Sequence, residues 1–236
     1  MVVRYLSNGG FASRNQLDQV TESKGRLVDH AYRLLEELYV ILALEPGSIW
    51  SEAQLGELIG IGRTPVREAI QKMASRHLVF IRRRHGIEIL PIDIQDQLLV
   101  LETRRELERL ITVRAARRAS ETERAKLSDL ASQIDAAGTN GDIKAFLRHY
   151  YSAKTFLAAC ARNPHAARSL EPLWTLSRRF YFAYQKDYGD LQKVAKLHAA
   201  AARAVAAGDE QEAAAASDRL IDYAGDFARK QIFGNF

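Results

Sequence analysis

The hydrophobic pattern of this 236-residue chain changes at Pro91, and that change constrains its architecture more than any single motif. From Asp93 onward apolar residues recur at helical spacing, in alanine-rich stretches broken only near Ser120, 138–141, Asn163-Pro164, Gly189 and Gly208. This predicts an all-helical antiparallel bundle of six or seven helices over 93–236. Before Pro91 the pattern is mixed. Leu27, Ala31, Leu34, Leu35, Leu38 and Ile41 predict a helix over 23–43, stopped by "EPG". Ser51 can cap a second short helix through Ile59, with Glu52 in its first turn and Gly60 as a left-handed end. A third helix is expected from Arg63 or Thr64 to about Arg76, with Pro65 in the turn where its missing N–H costs nothing. Then "LVFIRRRHGIEIL" gives two β-branched runs, 79–81 and 87–90, around a basic tip, which reads as a hairpin.

Three helices and a hairpin make a winged helix-turn-helix, assigned to 22–92, with 1–21 as an extension in front of it. The fold class is therefore mainly α, a winged helix-turn-helix followed by a helical bundle. A hydrophobic content of 47% is enough to bury a core in two modest domains. The lone Cys160 excludes an internal disulfide and a cysteine zinc cluster, and suits a reducing cytoplasm. The start lacks the apolar core of an export signal, and no run of apolar residues is long enough for a membrane span.

The net charge of +5 is concentrated in one place. Between Gly60 and Gly86 stand Arg63, Arg67, Lys72, Arg76, Arg82, Arg83 and Arg84 against Glu68 alone, a local +6. On a helical wheel Val66, Ala69, Ile70, Met73 and His77 share one side of the third helix, while Arg63, Thr64, Arg67 and Gln71 share another. Arginine pairs bidentately with guanine or phosphate, and the first residues of a recognition helix are those that meet base edges. A solvated basic face is the plain alternative for two arginines. The short helix before them, the tight turn and the basic hairpin tip, Arg83, Arg84, His85 and Gly86, all favour double-stranded DNA.

The stretch "LEPGSIWSEAQLGELIGIGRTPVREAIQKMASRHLVFIRRRHGIEI" resembles the DNA-binding domain of the GntR family of bacterial transcription regulators, with "GRTPVREAI" its most specific segment. The resemblance implies that Arg63, Thr64 and Arg67 contact operator bases and phosphates, and that His85 and Gly86 enter the minor groove. Gly62 departs from it, standing where the family usually has a capping serine. In the bundle, "LETRRELERL", "FLAACARNP" and "LHAAAARAVAAGDEQEAA" resemble the FadR-type helical effector domain of the same family. That implies a ligand sensor and a homodimer that presents two recognition helices to a palindromic operator.

Three bundle helices each point one basic residue inward on the wheel. Arg104 falls among Val100, Leu101, Leu107, Ile111 and Ala115; Lys154 among Ile143, Leu147, Tyr150, Tyr151, Leu157 and Ala158; His198 among Leu191, Val194, Ala201, Ala202 and Val205. Buried charge is costly unless paired, so convergent bases imply an enclosed anion. Glu108, one turn after Arg104, offers an internal ion pair as the alternative. Many effector domains of this type hold a divalent metal, and their ligand slots fall here on Tyr150, Lys154, His198 and Leu220. A protonated lysine and a leucine cannot ligate, so no metal and no other cofactor is expected. The effector residues are then Arg104, Tyr150, Lys154 and His198, a set suited to a small carboxylate. Trp174, Phe180, Tyr181, Phe182 and Tyr184 are either its wall or ordinary core, and Arg178 and Arg179 are further candidates.

The expected function is a ligand-responsive DNA-binding regulator, a repressor, whose helical domain senses a small organic acid. An acyl-CoA sensor of the same family is the alternative. No nucleophile with a base, no phosphate loop and no paired-histidine motif supports an enzyme, and Cys160 has no identifiable partner.

Overall fold

Ser51 opens the second helix with a reciprocal cap. Its hydroxyl accepts the Gln54 N–H at 3.1 Å, while the Gln54 side chain accepts the Ser51 N–H at 2.8 Å. The computed structural model describes residues 24–233; the expected extension, 1–21, lies outside them. The described chain divides into two compact units that meet between Ile92 and Asp93.

The first unit runs α1 (Lys24–Val40), β1 (Ile49–Trp50), α2 (Glu52–Ile59), α3 (Arg63–Ser75), β2 (Val79–Arg82) and β3 (Gly86–Ile89). Helix α1 stops earlier than its apolar pattern suggests, because Leu42 takes a positive φ of 58° and the chain folds Leu44 beneath the helix. Gly60 ends α2 in the left-handed conformation. In α3, Val66, Ala69, Ile70 and Met73 are buried as their spacing predicts, but His77 is exposed. Helix α3 ends at Ser75 and His77 turns with a φ of 56°, so Leu78 enters the core in its place.

The hairpin β2–β3 pairs Val79 with Ile89 and Ile81 with Ile87. A third strand beyond the expected hairpin, β1, pairs antiparallel with β3, giving the order β1-β3-β2. Only two residues long, β1 carries too little alternation to be read from sequence. Gly86 is required by this pairing: its φ is 108°, and a Cβ there would lie 2.7 Å from the Trp50 carbonyl oxygen.

The second unit holds α4 (Ile94–Arg118), α5 (Glu121–Thr139), α6 (Ile143–Cys160), α7 (Pro164–Tyr188), α8 (Leu191–Ala207) and α9 (Glu210–Phe233). Asp93, Ser120, Asp142, Asn163 and Asp190 cap five of these helices through their side chains. Helix α4 packs on α6, α7, α8 and α9 and forms the central rod. Small residues let the rods approach closely. At Gly138 of α5 an added Cβ would sit 2.4 Å from that of Ala195 on α8. Arg124 ties helix ends together by donating to the carbonyls of Ala116, Ala119, Val205 and Ala206. No helix among the described residues is long and apolar enough to cross a membrane.

Candidate nucleic-acid interface and ligand cavity

In the first unit the buried stripe of α3 turns its opposite side outward, and a groove of about 500 Å³ opens between that side and the β2–β3 hairpin. It gathers Arg63, Arg67, Gln71, Arg83, Arg84 and Gly86 from the predicted DNA set, together with Arg82. Thr64 and His85 are exposed but do not line it. Arg84 adopts a φ of 68°, and the His85 N–H bonds the Arg82 carbonyl at 3.0 Å, so the basic tip is a closed turn.

The groove also contains an acid, Glu52, whose place in the sequence marks it only as a helix-start residue. Arg67 Nε lies 3.0 Å from both carboxylate oxygens of Glu52, and Nη2 lies 2.9 Å from Oε2. Across the hairpin Arg82 Nε donates to Glu88 Oε2 at 2.6 Å, a single contact. Among the described residues Arg63, Arg83 and Arg84 make no ion pair with a carboxylate.

In the second unit the three bases expected to point inward do so: Arg104, Lys154 and His198 are 3%, 5% and 9% exposed. Their surroundings differ from the expectation in one respect. Glu108, fully buried, serves both cations at once. Its Oε1 accepts from Arg104 Nε at 2.7 Å, lies 2.5 Å from Arg104 Nη2, and accepts the Trp174 indole N–H at 3.0 Å, while its Oε2 accepts from Lys154 Nζ. Burial alone would raise the Glu108 carboxyl, but Arg104 and Lys154 outweigh it and hold it down at about 2. Burial also lowers the Lys154 ammonium, with Glu108 opposing that shift and Arg104 adding to it. Two buried cations therefore share one carboxylate, leaving a surplus positive charge.

A cavity lies beside this cluster, lined by Arg104, Tyr150 and His198 but not by Lys154. Lys154, expected among the effector residues, is ion-paired with Glu108 and does not line this cavity. The space open to the centre of a water molecule is about 50 Å³, several times what one water needs. Aromatic rings form much of the wall. Phe146, Phe180 and Tyr181 contribute, and Tyr150 lies over His198 with ring centroids 4.3 Å apart. Trp174 is core, turned to Glu108, and Tyr184 packs against Phe180 with the rings tilted by 50°, without lining the cavity.

The polar lining includes Gln97 and Ser177, which bond one another at 3.0 Å, and Arg178, which also stacks over the Tyr151 ring at 4.5 Å. Arg178 and Arg179, whose faces the sequence left open, are both buried. Buried polar atoms on the lining that lack a hydrogen-bond partner include His198 Nδ1 and the Tyr181 hydroxyl. His198 is held neutral, since burial and then the Lys154 charge push its pKa well below the usual value.

The donors do not fit a divalent metal. Of the positions Tyr150, Lys154, His198 and Leu220, the lysine is ion-paired, the leucine has no donor, and burial pushes the tyrosine up to about 12. No group of three histidine, cysteine, aspartate or glutamate side chains with metal-binding geometry occurs among the described residues.

Similarity to known proteins follows the same division of the chain. E. coli McbR/YncC shares 18% identity over 87% of this chain and 98% of its own, with a TM-score of 0.76. A structure described as a transcriptional regulator GntR from Rhodococcus sp. RHA1 shares 20% identity over 89% and 98%, with a TM-score of 0.63. Lar, which controls expression of the Listeria monocytogenes agr system, shares 18% over 86% and 96%, with a TM-score of 0.55. These likenesses establish a common fold. Residues 27–89 match the gntR family of bacterial regulatory proteins and residues 99–223 match the FCD domain, which alone spans more than half of the sequence. The chain belongs to the GntR family of transcription regulators and carries an FCD effector domain behind its winged helix-turn-helix.

Proposed function

We propose that this regulator is a repressor that releases its operator when a small organic carboxylate enters the bundle. The observation that carries the reading is the charge imbalance at the cavity: Arg104 lines it and competes with Lys154 for Glu108. An anion on the open side of Arg104 offsets the surplus charge without a metal. His198 Nδ1 and the Tyr181 hydroxyl, both without partners, suit a second polar group on the same molecule. In this reading 22–92 is the DNA-binding domain and 93–236 the effector-binding and dimerisation domain. A homodimer reading a palindrome completes the proposal, with Arg63, Thr64, Arg67 and Gln71 in the major groove and Arg83, Arg84, His85 and Gly86 at the hairpin tip.

An effector shifts the DNA equilibrium only by its differential affinity for the free and bound states, so acid and operator must weaken one another. A panel of carboxylic acids and their uncharged amides, screened by thermal shift and then by gel shift, tests this. Acids that raise the melting temperature and release DNA, with inert amides, support the reading. Stabilisation by acids with unchanged DNA affinity refutes the gating. Stabilisation by acyl-CoA instead favours the other sensor class.

A further inference from the structure

Glu52 lies in the groove proposed to receive DNA, where a negative charge opposes the phosphate backbone. Its contact with Arg67 is a surface pair, with side chains 32% and 61% exposed, and pairs of this kind add little to stability. Its geometry suits a different task. The carboxylate occupies the Nε and Nη2 edge of the guanidinium. The free N–H of Nη2 and both of Nη1 remain, and these supply the parallel donors that guanine O6 and N7 accept. A tethered guanidinium also loses less freedom when it meets a base than a mobile one.

We propose that Glu52 is a positioning and specificity residue: it clasps Arg67 so that the guanidinium meets a guanine edge and is kept from the phosphates. Arg63, Arg83 and Arg84, without such clasps, can reach phosphates as well as base edges. This rests on the reading of α3 as the recognition helix.

The test compares the full chain with Glu52→Ala, Glu52→Gln and Arg67→Ala. Each is measured against a random-sequence duplex pool and against the fragments the wild-type chain selects from it, at several salt concentrations. For both Glu52 variants the expected result is a rise of about threefold or more in affinity for the random pool and a drop of about tenfold in the ratio of selected to random affinity. The salt slope should steepen by about one phosphate contact as Arg67 swings to the backbone. The lost preference should fall at the base pair that Arg67→Ala also blurs. Glu52→Gln keeps the shape of the helix start, so it carries the test if the alanine variant folds poorly. Unchanged selectivity in the Glu52 variants, with selectivity lost in Arg67→Ala, overturns the clasp alone. Unchanged selectivity in Arg67→Ala overturns the reading of the recognition face and the proposal with it.

Discussion

Lys154 on α6 places its ammonium on the carboxylate of Glu108 on α4, which Arg104 already holds from one helical turn away. Removing that carboxylate leaves two like charges buried side by side. Glu108→Gln should lower unfolding stability by about 3–5 kcal/mol in urea titration at neutral pH. A loss below about 1 kcal/mol would mean that the cations find other partners.

The same carboxylate makes part of the fold's stability acid-sensitive. Its folded pKa of about 2 lies below the ordinary 4.5, so its stabilisation is complete above pH 4.5 and is lost as pH falls toward 2. The shift corresponds to about 3 kcal/mol. Wild type and Glu108→Gln should therefore converge in stability across that window when unfolding is followed by circular dichroism.

His198 acts at milder pH and in the same direction. Its folded pKa is depressed, so the unfolded chain takes up a proton near pH 6.5 that the folded bundle refuses. Stability should fall as pH drops below 6.5, by up to about 1.4 kcal/mol per pH unit. His198→Gln should remove that component, seen as a shallower difference between urea midpoints at pH 7.5 and pH 5.5.

Gly86 joins the hairpin tip to β1. Gly86→Ala adds a Cβ 2.7 Å from the Trp50 oxygen at a φ of 108°, so β1 and β3 must separate. The variant should bind DNA at least about tenfold more weakly, by the loss of the contacts proposed for the tip. Urea stability of the 93–236 bundle should be unchanged.

The helix order, the cap at Ser51, the break near Ser120 and the buried side of α3 were legible because each depends on neighbours within one turn. So was the inward direction of Arg104, Lys154 and His198, which a wheel detects. What those side chains touch was not legible. Glu108 and Lys154 are 46 residues apart, and Trp174 reaches Glu108 from a third helix, so their meeting depends on how rods pack. Helix α4 also carries Gln97, Arg104, Glu108 and Thr112 on its buried side, where these polar residues bond within the helix or to its neighbours and blur the apolar stripe. The Arg67 to Glu52 clasp spans two helices, and the sequence offered Glu52 only as a favourable first-turn acid.

Genome-wide footprinting of the wild-type chain beside an Arg63→Ala, Arg67→Ala double variant bears most directly on the central claim. Discrete sites built as inverted repeats, occupied by the wild type and lost from the double variant by about 100-fold or more in affinity, are the predicted result. The same sites retained at full occupancy by the double variant would contradict it.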